Sequence, residues 1–555
     1  MVSVLLIWIY IFIVCYTSGC IVLKFTGAKD GYKVESQIAI LLAGFSAITV
    51  YSEIFSIFYK VSLLANIVLV MILLLLGVII RDYISENVNA LVKSIYGIKG
   101  IALLLLIILM AYGTSKGYMH YDTDLYHAQS IRWIEEYGIV KGLGNLQSRL
   151  AYNSAAFCVS ALFSFAFLGL QSFHTCAGFL ALITTVLCVK NINKEFFKEA
   201  KISSFVRIAA LFYLLTIYDE MVSPASDYFV VLLLLGIAIF YSDLCEKKIT
   251  DPYPYALISL LGLVVFSMKI SGAFILLLVI YPAWLLITKK VIKDIIKYVI
   301  TGLITVAPFF IRNIILSGYL IYPVPAIDIF NFEHKMSKVL AEYDANEIEV
   351  FGRGHSDLSR INEPLKNWIF DWFRALDTIN KLAFLATLVG ILVFIAYLLW
   401  IISKRKWDKI PMQILTITIC ICFIAWIFTS PNIRFGCIFI YLAPMLIFGS
   451  IYTDFIKGID RNISFCVFVC IFIVYKGIAF GSENINRFSP EYLILQQDYG
   501  EYEAVPYTLH GVTFYYPAQG DRMGYKYFPS SPMKAEDIFI GDDIKDGFRD
   551  MIHQK

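Results

Sequence analysis

The chain has 555 residues, of which 59% are hydrophobic and 16% are charged, and its mean hydropathy is +0.72. Soluble proteins carry about 25% charged residues, so this composition excludes an ordinary soluble protein and indicates a polytopic membrane protein. The net charge of +3 is too small to favour a nucleic-acid partner. The eleven cysteines lie in or beside apolar segments, without the spacing of a disulfide framework or a zinc site.

Apolar runs of about 17–25 residues, the length that crosses a bilayer, recur along most of the chain. Residues 254–288 form a run of double length that is broken at Lys269 to Gly272, and we expect two spans there. The other runs lie near 2–23, 37–59, 62–80, 98–113, 173–190, 204–221, 228–242, 297–316, 382–403, 411–429, 437–453 and 462–480. The sequence therefore predicts an all-α polytopic membrane protein with about 14 transmembrane helices.

Lysine and arginine concentrate in alternate short loops between these runs. Cytoplasmic loops carry such an excess, so the positive-inside rule places these loops in the cytoplasm. The loops contain Lys190/Lys194/Lys198/Lys201, Lys247/Lys248, Lys289/Lys290/Lys293/Lys297, Lys404/Arg405/Lys406/Lys409 and Lys457/Arg461. The segments predicted to face outward are then 219–227, 269–272, 317–380, 430–436 and the chain after 480.

Residues 154–171 are apolar enough to cross, but a crossing there would move the preceding polar tract, residues 118–154, into the cytoplasm. Basic residues of the upstream loops (Lys24/Lys29/Lys33 and Arg81/Lys93/Lys99) place that tract outside. We therefore expect 154–171 to lie along or re-enter the membrane, with both termini outside. The predicted regions are N-terminal transmembrane helices (1–97), a transmembrane core (98–316) with an outer loop (113–153), a large outer loop (317–380), C-terminal transmembrane helices (381–480) and a small α+β extracytoplasmic tail (481–555).

The polar tract 118–154 interrupts the apolar pattern directly after a predicted span and carries Asp122, Asp124, His127, Arg132, Glu135, Glu136, Lys141 and Arg149. From Asp124 to Gly138, apolar residues recur every three or four positions, which predicts a short amphipathic helix at the interface that ends at the glycine. In one interpretation Asp124 is the N-cap of this helix, with His127 on its wet face. In the other, Asp122, Asp124 and His127 carry chemistry, because a carboxylate accepts the proton of a hydroxyl and Asp-x-Asp chelates a divalent cation.

Other polar residues stand at the ends of predicted spans. Asp227 follows Ser-Pro-Ala-Ser, where it either caps the next span or joins the two aspartates of the tract. Lys269 lies at a break in an apolar run and Arg312 near the outer end of its run. Each either extends to the surface or binds an anion. Arg434 lies in Pro-Asn-Ile-Arg-Phe-Gly, a tight turn that favours bidentate binding of a phosphate.

An acidic pair in the first large outer loop, a second acidic loop and later cations resemble the arrangement of the GT-C superfamily of polyprenyl-phosphate-sugar glycosyltransferases. Five strings more narrowly resemble a family of bacterial polytopic membrane proteins from surface-polysaccharide loci, and that resemblance spans roughly residues 100 to 555. The strings are Asp122-Thr-Asp-Leu-Tyr-His-Ala-Gln, Arg149-Leu-Ala-Tyr-Asn-Ser, Ser223-Pro-Ala-Ser-Asp227, Arg312-Asn-Ile-Ile-Leu-Ser-Gly-Tyr-Leu-Ile-Tyr-Pro and Pro431-Asn-Ile-Arg-Phe-Gly.

The resemblance implies transfer of a sugar, with inversion, from a polyprenyl-phosphate carrier to a glycan or lipid acceptor on the outer side of the bacterial cytoplasmic membrane. Asp122 or Asp124 would be the base, assisted by His127. We expect Asp124 to be the cap and Asp122 the freer carboxylate. A monophosphate donor needs no metal, whereas a pyrophosphate donor favours a divalent cation at the two aspartates. The resemblance also implies a substrate- and phosphate-binding set of Arg149, Asp227, Lys269, Arg312 and Arg434.

Two other functions fit the same sequence. A polysaccharide polymerase or ligase that uses a lipid pyrophosphate oligosaccharide would depend on His334, Arg353 and His355 of the large outer loop. A flippase or transporter would use the many spans and the broken helix at Lys269. Growth of a chain, as opposed to addition of one sugar, identifies the first alternative, and movement of a lipid-linked sugar without a new glycosidic bond identifies the second.

Overall fold

The computed structural model describes residues 1–27, 31–95, 97–190, 192, 196–197, 200–535, 538, 541 and 543–549. Helices account for 71% of the chain, and a single two-stranded sheet lies near the C-terminal end of the described residues. The predicted mostly helical architecture and the presence of strands in the C-terminal region are therefore confirmed, and the long apolar helices are compatible with a multi-pass membrane protein. Lys29, Lys194 and Lys198, which contributed to the charge pattern, lie outside the described residues.

The described part of the chain contains nineteen α-helices. The first ten are α1 Val2–Thr26, α2 Gln37–Phe58, α3 Leu63–Ile79, α4 Arg81–Ser94, α5 Ile98–Ser115, α6 Ala128–Glu136, α7 Ala155–Leu162, α8 Cys176–Val189, α9 Ile202–Thr216 and α10 Ser226–Glu246. The other nine are α11 Pro252–Met268, α12 Ile280–Thr288, α13 Ile292–Ser317, α14 Lys338–Gly352, α15 Leu365–Ala375, α16 Thr378–Ser403, α17 Ile410–Thr429, α18 Ile433–Phe455 and α19 Gly458–Asn484.

Nine helices of the described residues are long and apolar enough to cross a membrane, or ten if the bent pair α3 and α4 forms one span. The remaining predicted spans coincide with the shorter apolar helices α5, α8, α9 and α11. α8 has 14 residues, about 21 Å at ~1.5 Å per residue, whereas the hydrocarbon core is about 30 Å thick. Length and apolar character therefore support nine or ten spans.

The double-length run is broken at the predicted place. α11 ends at Met268, and Lys269 is extended, with φ −161° and ψ 130°. A 3₁₀ helix, Ile270–Val279, then packs against α11 and leads into α12. A Cβ on Gly272 would lie 2.6 Å from a side-chain carbon of Val265, so the glycine permits this close packing. The break therefore holds Lys269 at the end of a buried helix.

The predicted short amphipathic helix is present, but the predicted N-cap is wrong. A π-helical turn, Thr123–His127, leads into α6, and the chain leaves at Gly138, whose φ of +82° suits glycine. An N-cap residue has a non-helical backbone, whereas Asp124 already lies inside the first helical turn. Its carboxylate makes no capping hydrogen bond and is bound instead by the C-terminal tail.

The apolar segment after the tract forms the short helix α7, followed by a 3₁₀ turn, Ala166–Leu168. The eight residues of α7 measure about 12 Å at ~1.5 Å per residue, and all of them are buried in the protein. The Ser154 hydroxyl accepts a hydrogen bond from Ala156 N at 3.2 Å and donates one to the Met268 carbonyl at 2.7 Å. The helix therefore starts beside the break at Lys269, and whether 154–171 crosses the membrane stays a prediction.

The polar segments occupy two opposite ends of the helical bundle. At one end, the tract 118–154 meets the segments that were predicted to face outward, for example where Tyr118 N donates to the Asp219 carbonyl at 2.6 Å. At the other end, the basic loops meet one another, and Lys297 Nζ donates to the Thr26 carbonyl at 2.7 Å. We call these the tract end and the basic end.

The tail after α19 folds back onto the tract end. Its strands β1 Ala504–Leu509 and β2 Val512–Pro517 form an antiparallel hairpin in which Leu509 pairs with Val512. Trp133 of α6 is buried against this region, with ring centroids 4.8 Å from Phe528 and 6.0 Å from Phe548. The tail and the interfacial helix therefore share one small hydrophobic core.

Candidate functional site

An ion-pair network at the tract end joins four of the predicted site residues. Arg434 donates a hydrogen bond from Nη2 to Asp122, and its Nε lies 3.1 Å from Asp227 Oδ2. Lys269 donates to the other oxygen of Asp227. We call Asp122, Asp227, Lys269 and Arg434 the Asp122 network. Two carboxylates face two cations, so their formal charges cancel within the network.

Each member of the network comes from a different element. Asp122 directly precedes the π-helical turn, Asp227 lies in the first turn of α10, and Lys269 follows α11. Arg434 lies in the first turn of α18, whose N-cap Asn432 accepts a hydrogen bond from Arg434 N at 3.0 Å. An acidic residue in a first helical turn is favoured by the helix dipole, which helps to hold Asp227 charged.

The two carboxylates of the network differ in access. The Asp227 side chain is 5% exposed and lies between the two cations, whereas the Asp122 side chain is 26% exposed. Asp122 Oδ2 accepts a hydrogen bond from the Arg434 guanidinium. Among the described residues, no group donates a hydrogen bond to Asp122 Oδ1. Asp122 is therefore the carboxylate that a substrate can reach, and Asp227 is the one that holds Lys269 and Arg434 in place.

The charges around Asp122 set its protonation. Burial acts to raise its pKa, but the positive charges of the Arg434 guanidinium and of Lys269 hold the pKa below its ordinary value. His127 is itself buried, and burial lowers its pKa to about 3. At neutral pH the aspartate is ionised and the histidine is neutral. His127 Nδ1 lies 3.4 Å from the Thr123 hydroxyl, which fixes the ring beside the network.

Aromatic rings line the cationic side of the network. Lys269 Nζ lies 3.4 Å from the ring centroid of Phe435, and the Arg434 guanidinium carbon lies 5.1 Å from it. Tyr126 is edge-on to His127 at 4.4 Å between centroids. Cations over aromatic faces are stabilised without a hydrogen bond, which leaves donors available to an anionic ligand. The sequence pattern did not identify Phe435, whose only distinguishing feature is that it follows the arginine.

A second polar group adjoins the network. His120 Nε2 lies 3.4 Å from Glu220 Oε2, and the Tyr228 hydroxyl donates to the same carboxylate. Burial acts to raise the Glu220 pKa, but hydrogen bonds from His120 and Tyr228 hold it below its ordinary value. The residues were visible in the sequence, but their association depends on packing between the tract and α10.

Asp124 does not belong to the network. Its Oδ1 accepts a hydrogen bond from Gly500 N at 3.0 Å, and its Oδ2 accepts one from the Tyr502 hydroxyl at 2.8 Å. Burial raises its pKa. Since Asp122 is bound by Arg434 and Asp124 by the tail, the two carboxylates do not form the common chelating site that Asp-x-Asp had suggested. Among the described residues, no group of three or more His, Cys, Asp or Glu is arranged to hold a metal ion.

Asp124 belongs to a surface on which the tail docks. Gln129 donates to the Gly524 carbonyl at 2.9 Å, and Arg132 donates to the Tyr525 carbonyl at 2.6 Å. The Tyr525 hydroxyl donates to Glu135, which is buried, and burial raises the pKa of Glu135 to about 7. We call this the tail-docking surface, formed by Asp124, Gln129, Arg132 and Glu135.

The two other predicted cations lie apart from the Asp122 network. Arg149 Nη2 binds Glu347 Oε2 at 2.9 Å. Arg312 is 2% exposed, and its Nε donates to Asn153 Oδ1 at 3.0 Å. Both guanidinium groups are therefore bound by protein groups that position the outer segments.

A fully buried acid lies near Arg312. Glu53 of α2 has 0% exposure, and within the described part of the chain neither carboxylate oxygen has a hydrogen-bond partner. Sequence patterns did not predict a site at Glu53. The available indication was one acidic residue inside the apolar run 37–59, which is uncommon in a spanning segment.

Residues 1–441 match the model of a family described as a domain of unknown function (DUF8201). The matched range contains all of the Asp122 network and ends before the residues that dock on Asp124. No curated protein matches the chain. Because the match covers well over half of the 555 residues, the chain belongs to this DUF8201 family.

Proposed function

We propose that the protein is a membrane glycosyltransferase that moves a sugar from a polyprenyl-phosphate carrier to a hydroxyl of a glycan or lipid acceptor, with inversion. The observation that carries the proposal is the Asp122 network: a reachable, ionised carboxylate in contact with an arginine and backed by a lysine, at one end of an apolar helical bundle. The arrangement resembles that of the GT-C superfamily, in which a first-loop aspartate is the base.

Asp122 is the proposed base. In a displacement with inversion, the acceptor oxygen attacks the anomeric carbon from the side opposite the phosphate, and its proton passes to a carboxylate. The free Oδ1 of Asp122 suits that role. Contact with Arg434 weakens it as a base, so movement of the guanidinium toward the donor phosphate would raise the pKa of Asp122 as the substrate binds.

Arg434 and Lys269 are the proposed phosphate ligands. As the glycosidic bond breaks, negative charge develops on the leaving phosphate, and fixed cations stabilise that charge. Asp227 holds both cations before substrate arrives. A monophosphate leaving group that is neutralised by these two side chains needs no divalent cation. Arg149 and Arg312 are not included in this set, because they lie apart from Asp122, where Glu347 and Asn153 bind them.

The proposal includes a topology of 14 crossings, in which α5, α8, α9 and α11 also span and α7 does not. It places the tract end on the extracytoplasmic side of a bacterial cytoplasmic membrane, because the lysine-rich loops lie at the opposite end. Cysteine accessibility tests this. A cysteine at Asp521 should react with a membrane-impermeant maleimide in intact cells, and one at Lys248 should react only after lysis.

The activity is tested with purified protein and a radiolabelled polyprenyl-phosphate sugar. Transfer to an acceptor should be lost with Asp122→Asn and retained with Asp371→Asn, a control at an exposed aspartate of α15. Unchanged transfer with Asp122→Asn would reject this residue as the base. Absence of transfer by the unaltered protein over a panel of lipid-linked sugars would reject the proposed activity.

No specific contact favours the polymerase or ligase alternative. Its candidate residues are bound elsewhere: His334 Nε2 lies 3.1 Å from the Ile314 carbonyl, Arg353 pairs with Glu349, and Arg360 donates to His355. These contacts stabilise the large outer loop and do not include Asp122. The length of the product still separates the two activities, since addition of one sugar is expected here.

A further inference from the structure

We propose that a cavity at the basic end binds an anionic membrane lipid, with its hydrocarbon chain inside the bundle and its phosphate at the lysine-rich mouth. The cavity has a volume of about 540 Å³ and is lined by α1, α2, α10, α11 and α13. Ligand pockets commonly measure about 300–1,000 Å³, so its size suits a small molecule or a lipid chain. We call it the basic-end slot. The site is separate from the Asp122 network and does not depend on the proposed transferase activity.

One face of α2 forms the long wall of the slot. Ala39, Ala43, Ser46 and Val50 line it at the three- and four-residue spacing of a single helix face, and their small side chains leave the space open. From Ser36 to Val50 the wall extends over fifteen residues, and their fourteen steps of ~1.5 Å give a length of about 21 Å. That exceeds half of a hydrocarbon core of about 30 Å, so one leaflet's chain fits along it.

The wall contains hydroxyl groups, but these donate hydrogen bonds within their own helices and not to a molecule in the slot. Ser46 donates to the Leu42 carbonyl, Thr301 to the Lys297 carbonyl and Thr305 to the Thr301 carbonyl, each at 2.8 Å within its own helix. These donors are therefore occupied. Recognition along the slot depends on contact with hydrocarbon, which distinguishes it from a sugar or nucleotide site.

The mouth of the slot carries a positive excess. Asp243 lies there, but Arg207 neutralises it through two hydrogen bonds of 2.9 Å and 2.6 Å. Lys190 and Lys247 are exposed at the mouth and have no acidic partner among the described residues. Glu35 is the remaining carboxylate of the lining, and Asp251 lies behind it, where it accepts a hydrogen bond from Tyr32 N at 3.0 Å. Two lysines and one glutamate favour an anionic phosphate headgroup over a zwitterionic one, because juxtamembrane lysines attract anionic lipid.

The test uses the full chain in phosphatidylcholine nanodiscs that contain a trace of phosphatidic acid with a photoreactive diazirine in its acyl chain. After irradiation, adducts should map to α2 and α11 residues that line the slot. The same diazirine chain on phosphatidylcholine should label the slot at least fivefold less. Ala43→Trp should abolish slot labelling, and Leu75→Trp, at a lipid-exposed position of α3, should leave it unchanged.

A second arm tests the headgroup. The double variant Lys190→Glu/Lys247→Glu should lower labelling by phosphatidic acid to the phosphatidylcholine level. If Ala43→Trp does not fold, Ser46→Phe fills the same wall with a smaller change. Equal labelling by the two lipids, adducts confined to lipid-exposed side chains such as Leu75, or undiminished labelling in the filled variants would each overturn the proposal.

Discussion

Asp122 and Asp124 are two residues apart, yet they belong to two different regions. Asp122 is partly exposed and lies against Arg434, which holds its pKa low. Asp124 is buried under the tail, accepts hydrogen bonds from Gly500 and Tyr502, and has a raised pKa. The Asp122 network is held together by opposite charges, whereas the tail-docking surface is held by hydrogen bonds to backbone groups and tyrosine hydroxyls of the tail. A carboxylate acquires its role from the neighbours that the fold supplies.

The largest expected effect is the difference in sugar-transfer activity between the Asp122→Asn and Asp124→Asn variants. Asp122→Asn removes the proposed proton acceptor, and loss of a general base costs about 10²–10⁴-fold in rate. Asp124→Asn keeps the side-chain shape and can still accept from Gly500 N, so transfer should fall less than about tenfold. Initial rates of sugar transfer measure both. Similar losses for the two variants would show that the two regions act as one site.

The next prediction concerns the charge balance of the network. Lys269→Met leaves the buried Asp227 with one cation in place of two, and breaking a buried ion pair costs about 3–5 kcal/mol. Adding Asp227→Asn should restore part of that loss, because the unpaired charge is removed. The midpoint of thermal unfolding in detergent ranks the stability of the unaltered protein, Lys269→Met and the double variant. Lys338→Met, at an exposed pair on α14, serves as the control and should not shift the midpoint.

The two regions should also respond to pH with opposite sign. Burial raises the Glu135 pKa from 4.5 to about 7, so the folded protein binds more protons than the unfolded chain between those values. The stability that Glu135 contributes to the folded protein is fully present below pH 4.5 and is lost as the pH rises through about 7. Asp124 acts in the same direction, whereas Asp122, with its lowered pKa, contributes stability that is lost on acidification.

Thermal unfolding between pH 5 and 8 checks this, with Glu135→Gln as the comparison. The substitution should remove most of the loss of stability between pH 5 and 8, and the residual slope belongs to Asp124 and other groups. Arg132, Tyr499 and Tyr525 surround the carboxyl group and remain unchanged in the variant. An unaltered slope would mean that Glu135 does not control tail docking.

The smallest effect should come from Arg132. Its guanidinium carbon lies 4.9 Å from the ring centroids of both Tyr525 and Phe528, and Nη1 donates to two tail carbonyls. Lysine keeps the charge but not the planar stacking, so Arg132→Lys should cost about 1 kcal/mol. Faster backbone amide hydrogen exchange at residues 524–528 in the variant would show this weaker docking of the tail. Transfer activity should not change, because this contact is outside the Asp122 network.

Local patterns predicted the elements on which the site is built. The periodicity after Asp124 predicted α6, and an apolar run interrupted by Lys269 predicted the break after α11. Both signals are contained in neighbouring residues. The juxtaposition of Asp122, Asp227 and Arg434 was a weaker inference, since it required loops from three parts of the chain to share one end of the bundle.

What the sequence missed depended on long-range packing. Asp124 was predicted to be a cap, because nothing near it indicates that Gly500 and Tyr502 would bind its carboxylate. Arg312 and Arg149 were predicted to bind phosphate. The residues around an arginine in the sequence do not show that a distant side chain, here Asn153 for Arg312 and Glu347 for Arg149, binds its guanidinium group in the fold. The number of spans is also hard to count from sequence, since helices inside a bundle can be shorter than the membrane is thick.

The way in which the tail is held has an evolutionary consequence. Asp124 accepts from the backbone amides of Gly500, Met523 and Gly524, and two side chains of α6 donate to tail carbonyls. Hydrogen bonds of this kind depend on the course of the tail backbone and not on the identity of the side chains at those positions. Substitutions can therefore accumulate at tail positions other than Tyr502, Tyr525, Phe528 and Phe548, and remodel the surface it presents near Asp122, while its attachment persists. Selection can diversify that surface without altering the charged residues beneath it.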